Sequence, residues 1–316
     1  MASSLRRNHF ICIYNGINHK TLQSKLSSSN LSSTLGDRGI CVIGSGTMGS
    51  GIAQVSAQSG FKTLLYDINE EVLSKAKNSI QKSLQTLVDK EKISGEESNA
   101  ILNRIQFTSN INNCSADFFI EAIIEKTEAK VDIFNQLAAI NKDDVIFASN
   151  TSSLSISDIQ KDMLNPERVA GMHFFNPAPV MKLVEVVKGE QTSEETAQAV
   201  YNLCQQMNKV PVMCKDAPGF IVNRVARHYY LEAMKLVEQG IATYENVDTI
   251  MEAAGFKMGP FKLMDLIGMD VNLAVSKSMY EAFGNEERFK PSPLQEEKVA
   301  KGELGRKTGK GFYNYS

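Results

Sequence analysis

The sequence predicts an α/β chain in two parts, a largely parallel sheet with helices on both faces and then an all-α C-terminal domain. Three observations carry this expectation. Short apolar, partly β-branched runs alternate with helix-length segments from residue 39 to residue 149, the pattern of strand–helix–strand units on a parallel sheet. A glycine-rich turn joins the first run to the first helix. Beyond Asp216-Ala217-Pro218-Gly219, apolar residues such as Ile221, Val225, Tyr229, Met234 and Val237 recur at helical rather than strand spacing. The expected parts are a leader over residues 1–36, a sheet domain over 38–214 and a helical domain over 215–316.

The leader differs in composition from everything after it. It holds Arg6, Arg7, Lys20 and Lys25, no acidic residue, and eight serines including Ser27, Ser28 and Ser29. The remaining chain carries 30 basic against 36 acidic residues. A basic, serine-rich, acid-free leader is the composition of an organelle transit peptide, which makes the mitochondrial matrix the expected destination. The apolar piece at 10–14 is too short for a secretory signal.

The elements follow in order. Residues 39–43 form a strand that ends in Gly44-Ser45-Gly46-Thr47-Met48-Gly49, and a helix continues to about Ser59. A second strand over 62–66 ends at Asp67, and a lysine-rich helix spans 70–92. Then come a strand at 118–121, a helix at 127–140 and a strand at 144–149. Two strands at 169–175 and 182–187 flank Asn176-Pro177-Ala178-Pro179 and are expected to pair. Helices are expected at 220–239, 243–254 and 260–283.

Composition excludes several classes of function. The chain has 42% apolar and 22% charged residues and a formal net charge of -2, values typical of a globular protein. No run approaches the ~18 apolar residues of a membrane-spanning helix, and no basic excess supports a sequence-independent grip on nucleic acid. Cys12, Cys41, Cys114, Cys204 and Cys214 form no Cys-x-x-Cys pair and no cluster with histidine, so neither a disulfide framework nor a metal site is expected.

The glycine turn points to a dinucleotide. It follows a strand, opens a helix, and is succeeded by an acid at the end of the next strand, which is the Rossmann fingerprint in its proper context. Gly44 permits the tight turn, Gly46 lets the backbone approach a pyrophosphate, and Gly49 allows helix and strand to pack closely. The helix N-terminus offers free N–H donors. Asp67 would accept the ribose hydroxyls and repel a 2'-phosphate, so the expected cofactor is NAD rather than NADP.

Only His173 and His228 among the histidines lie beyond the leader. His228 falls within a helix beside Arg224 and Arg227, which suits an ordinary helix residue. His173 sits at the far end of a strand, where open α/β sheets bind ligands. His173 and Glu185 are each six residues from Pro179, so a hairpin centred there sets them opposite one another, with Cβ atoms about 4.5–5.5 Å apart. A carboxylate so placed can hold one imidazole nitrogen and leave the other free to take a proton; an ordinary cross-strand polar pair fits equally well. Ser149-Asn150-Thr151-Ser152-Ser153 follows a buried-type strand and should emerge at the same sheet edge, where Ser152 either orients a hydroxyl substrate or belongs to a simple capping loop.

Together these segments resemble the short-chain L-3-hydroxyacyl-CoA dehydrogenases, including the related 3-hydroxybutyryl-CoA enzymes. The resemblance runs from about Gly39 to the end of the chain and rests also on Glu121-Ala122-Ile123-Ile124-Glu125, the segment from His173 to Glu185, Lys215 to Arg224, Met258-Gly259-Pro260-Phe261 and Gly305 to Tyr313. It implies NAD-dependent, reversible oxidation of an (S)-3-hydroxyacyl-CoA thioester in fatty acid β-oxidation. It also implies a His173/Glu185 catalytic pair, Ser152 on the substrate hydroxyl and Asn223 assisting. By the same resemblance Glu125, Lys130, Asn176 and Lys307 line the cofactor, and Ser83 and Lys90 meet coenzyme A. A homodimer through the helical domain is expected as well. Two alternatives stay open here: a dehydrogenase of small free β-hydroxy acids on a related fold, and a non-catalytic NAD-binding structural protein.

Overall fold

The structure, a computed structural model, describes residues 39–315; the leader over 1–36, with Cys12, lies outside them. The first half of the sheet domain contains β1 (Ile40–Ile43), α1 (Thr47–Gln58), β2 (Thr63–Tyr66), α2 (Glu70–Asp89), α3 (Gly95–Asn103) and β3 (Ile105–Thr108). The second contains β4 (Phe118–Glu121), α4 (Thr127–Ile140), β5 (Ile146–Ser149), α5 (Ile156–Gln160) and β6 (Val169–Phe174), extended by β7 (Leu183–Lys188), α6 (Glu194–Gln206) and β8 (Val210–Lys215). The eight strands form one sheet in the order β3-β2-β1-β4-β5-β6-β7-β8, and every pairing is parallel except that of β6 with β7.

The chain runs outward from β1 to β3 and restarts at β4 on the other side of β1. Strand order therefore reverses between β1 and β4, and their carboxyl ends open the crevice where such sheets bind ligands. β1, β4, β5 and β6 are buried along their whole length, which explains their unbroken apolar runs. Phe119, Phe134 and Phe147 pack beneath them, with centroids 5.3 Å apart for Phe119–Phe147 and 5.1 Å for Phe134–Phe147.

The helical part comprises α7 (Val222–Glu238), α8 (Tyr244–Ala253), α9 (Pro260–Ile267), α10 (Met269–Ala282) and α11 (Pro293–Ala300) around a core that includes Met234, Phe261, Met264 and Met269. The buried carboxylate of Asp265 ties the chain end to this core, accepting from the amides of Phe312 and Tyr313, both at 2.9 Å. The single helix expected over 260–283 is instead two, broken at Gly268. That residue has φ +103°, a conformation a side chain resists, so α9 must stop there.

The β6–β7 register pairs His173 with Glu185, as the hairpin arithmetic requires. α3, β3, α5, α6, β8 and α11 are additions to the expected elements.

Candidate active site

The glycine turn lies at the crevice, and its shape suits a dinucleotide. Gly44 has φ +92°, and a Cβ on Gly49 would stand 1.7 Å from the Gly44 carbonyl oxygen, so only glycine permits this contact of α1 with β1. A Cβ at Gly46 would meet nothing within 4 Å, because that side of the turn is open. α1 has no side-chain cap and no acidic residue in its first turn, leaving its first amides and positive dipole end available to a pyrophosphate. Asp67 accepts from the Ser45 amide (2.8 Å) and hydroxyl (2.9 Å) through Oδ2, and from the Asn69 amide through Oδ1. Its carboxylate is thus fixed beside the turn, with lone pairs to spare for ribose hydroxyls. Thr47 is exposed and Met48 half-buried at the helix start.

His173 and Glu185 meet directly. Nδ1 of His173 lies 2.8 Å from Oε2 of Glu185, and the two residues are 5% and 1% exposed. Oε1 of Glu185 accepts from the amides of Ile221 and Val222, each at 2.9 Å, at the start of α7. Burial by itself would push this carboxyl up; the His173 ring and the two amides outweigh it and hold the group below its ordinary value. Phe175 and Phe220 stand 4.5 and 5.7 Å from the imidazole, so its surroundings are largely apolar. His228 is exposed on α7 and tilts against Phe289, in keeping with an ordinary helix residue.

The loop bearing Ser152 is held by the carboxylate of Glu125, an exposed residue that rests in turn on the buried Lys130. Oε1 of Glu125 accepts from the Thr151 hydroxyl, the Ser152 amide (3.0 Å), the Ser153 amide (3.2 Å) and the Ser153 hydroxyl (3.1 Å). Lys130, 1% exposed, reaches Oε2 of Glu125 at 3.2 Å and Oε1 of Glu121 at 2.6 Å. Glu121, fully buried at the end of β4, accepts also from the Ser149 hydroxyl at 2.7 Å. Burial raises the Glu125 carboxyl, but the Lys130 ammonium and the Thr151 and Ser152 hydrogen bonds overcome this and bring it below its ordinary value. Sequence reading included Glu125 and Lys130 but missed Glu121, although an acid inside an apolar strand is itself a signal that a buried partner exists.

Asn223, half-buried one residue into α7, donates from Nδ2 to the Ser152 carbonyl at 3.4 Å. Ser152 and Asn223 line one small cavity with Ser153, Gly219, Val275 and Met279, between the sheet edge and α10. Asn176 is exposed just past β6, in a segment that Lys209 clamps through the carbonyls of Ala178 (2.5 Å) and Met181 (2.8 Å). Lys307, exposed, forms an ion pair with Asp270 of α10. Ser83 is half-buried on α2 and Lys90 exposed at its C-terminal cap, on a separate element from the His173 constellation.

Known protein families match nearly all of the described residues. Residues 39–217 match the family model for the NAD binding domain of 3-hydroxyacyl-CoA dehydrogenase, and residues 219–315 match that for its C-terminal domain. The chain is 47% identical over 278 residues to 3-hydroxyadipyl-CoA dehydrogenase of Escherichia coli, covering 87% of this chain but 58% of the relative's length. It is 41% identical over 284 residues to the mitochondrial hydroxyacyl-coenzyme A dehydrogenase of Rattus norvegicus, covering 87% of this chain and 90% of the relative. Among solved structures, the crystal structure of 3-hydroxybutyryl-CoA dehydrogenase from Escherichia coli K12 superposes with a TM-score of 0.85 at 47% identity, covering 89% of this chain and 60% of that one.

Proposed function

The chain belongs to the 3-hydroxyacyl-CoA dehydrogenase family, and from that premise we propose that it oxidises (S)-3-hydroxyacyl-CoA thioesters reversibly to 3-ketoacyl-CoA, using His173 and Glu185 as its acid/base pair. The observation that carries the reading is the 2.8 Å contact between two buried side chains twelve residues apart, beside the strand whose loop bears Ser152. NAD supplies the hydride acceptor for the hydrogen on C3. His173 takes the hydroxyl proton on Nε2, since Nδ1 is committed to Glu185. Glu185 orients the ring and stabilises the positive charge that develops on it; a positioned base of this kind is worth about 10²–10⁴ in rate. Ser152 holds the C3 hydroxyl, and Asn223, which lines the same cavity, helps to fix the substrate.

In this reading Gly44 to Gly49 and Asp67 hold the dinucleotide, with Glu125, Lys130, Asn176 and Lys307 toward its nicotinamide end, and Ser83 and Lys90 meet coenzyme A. Mitochondrial relatives such as the rat enzyme, together with the basic leader, support a role in matrix fatty acid β-oxidation. Exposed apolar side chains on the helical part, among them Val225, Ile250 and Phe256, support a homodimer through that part.

The test is an NADH assay with acetoacetyl-CoA and with free acetoacetate. Turnover of the thioester alone is expected, and His173→Gln should remove most of it while NADH still binds. A His173→Gln enzyme with the wild-type rate would overturn the assignment.

A further inference from the structure

The cavity at Ser152 has two unlike sides. One is polar and carries Ser152 and Asn223; the other is a stripe of α10 made by Val275, Met279 and Ala282, whose spacing puts them on one helix face. Val275 is half-buried and Ala282 exposed, while Met279 between them is 3% exposed.

Met279 also closes the cavity. A Cβ on Gly219 would stand 2.3 Å from its Sδ and 2.9 Å from its Cε, so the thioether end rests directly on Gly219, in the turn that leads into α7. Gly219 has φ +71°, a conformation that a side chain resists, and the sulfur occupies the place where a side chain would begin. α10 is therefore sealed against this turn by Cγ, Sδ and Cε of one residue. A smaller side chain at 279 would leave that space joined to the cavity.

The layout of the sheet says which part of a thioester faces this wall. In the reading above, coenzyme A meets Ser83 and Lys90 on α2, which packs against α1, α3 and β3 at one edge of the sheet. α7 is fastened to Glu185 of β7, toward the other edge. With C3 at Ser152 and its thioester arm directed to α2, the carbons from C4 onward are left to face α10. Hydrocarbon gains there by leaving water for Val275 and Met279, until it meets the thioether.

We propose that Met279 sets the acyl length this chain accepts: the carbons beyond C3 lie along the α10 stripe and end against the Met279 thioether, which stops the cavity at Gly219. The inference rests on the reading of the reacting centre given above, since that reading puts C3 at Ser152. An unbranched thioether adapts its shape, so the limit is a decline over neighbouring lengths rather than a sharp cut-off.

The experiment measures kcat/KM on the full chain for unsubstituted 3-hydroxyacyl-CoA thioesters of four, six, eight, ten and twelve carbons. In wild type the value should hold or rise while added methylenes find room, then fall at least about tenfold over the next two carbons. In Met279→Ala the fall should come about two carbons later, the reach of the atoms removed, which raises the ratio of the longer to the shorter thioester about tenfold. Met279→Leu conserves the volume and should keep the wild-type limit. A methionine that only packs α10 against the turn would lower every length together in Met279→Ala and leave the shape of the profile unchanged, which overturns the proposal. Met279→Val leaves a smaller void and serves where the alanine protein is too unstable to assay; it should move the fall in the same direction, and no movement overturns the proposal as well. A wild-type kcat/KM that keeps rising through twelve carbons refutes any stop at Met279. If no thioester of any length is turned over, the reading of the reacting centre fails; if turnover is normal but wild type and Met279→Ala share one profile, only the present proposal does.

Discussion

Replacing Glu185 by glutamine tests the acid/base pair with almost no change of shape. Across 2.8 Å, a unit charge pair at an effective dielectric of about 20 attracts by about 6 kcal/mol. The carboxylate divides its charge between two oxygens, and Oε1 is held by the Ile221 and Val222 amides, so about half of that, some 3 kcal/mol, is the smaller figure for what the imidazolium loses. The glutamine can keep Oε1 on the two amides only by turning its NH₂ toward His173. Nδ1 must then accept, the ring proton moves to Nε2, and the nitrogen that should take the substrate proton already carries one. A loss of about 10²–10⁴ in kcat follows from the 3–6 kcal/mol range. The assay is NADH formation from 3-hydroxybutyryl-CoA across pH, with NADH affinity measured separately. A kcat within about threefold of wild type, on an unchanged pH profile, would refute the reasoning.

Three further outcomes follow from the site. Lys130→Met leaves Glu121 fully buried beside Ser149 without its cation, which should cost about 3–5 kcal/mol of stability in urea unfolding; a midpoint equal to wild type would mean that the pair carries no such burden. Gly49→Ala sets a Cβ 1.7 Å from the Gly44 carbonyl oxygen, so the turn must open and NADH affinity should fall at least about tenfold by fluorescence titration; unchanged affinity would refute the fit of the turn to the dinucleotide. The Glu185 carboxyl is held below its ordinary value, so its contribution to stability is complete above the unfolded pKa of about 4.3 and disappears as pH falls through the lower folded value. Urea midpoints should therefore drop more between about pH 5 and pH 3 in wild type than in Glu185→Gln, and parallel curves would contradict the linkage.

What was legible in the sequence was what residue type and spacing encode together. β1, the glycine turn and α1 could be read because an apolar run, three glycines and a helical period occupy one short stretch. The pairing of His173 with Glu185 could be read because a proline turn fixes hairpin register. β8 was harder to see: Val210, Val212, Met213 and Cys214 make an apolar stretch, but Pro211 inside it lacks an N–H for the ladder and argues against a strand within the sheet. The break at Gly268 had a signal, a glycine between two helix-forming runs, but a lone glycine inside a helical pattern does not by itself end a helix. The Glu185 contacts with Ile221 and Val222 had no signal of any kind, because they are made to backbone amides, which every non-proline residue supplies.

Those two amides make Glu185 a joint as well as part of an acid/base pair. One oxygen reaches His173 on the sheet, and the other holds the start of α7, which carries Asn223 to the Ser152 loop. Alignment of the reacting groups and docking of the helical part thus depend on a single side chain, and two substitutions separate the roles. Glu185→Gln keeps an acceptor for the amides and should lower the rate with little loss of stability. Glu185→Ala removes both contacts and strips two partly buried N–H donors of their acceptor, at about 1–3 kcal/mol for each that water does not satisfy. The alanine protein should therefore unfold at a distinctly lower urea concentration than the glutamine protein while being no more active. Equal midpoints for the two would mean that α7 is held in place without Glu185, and that the carboxylate serves the imidazole alone.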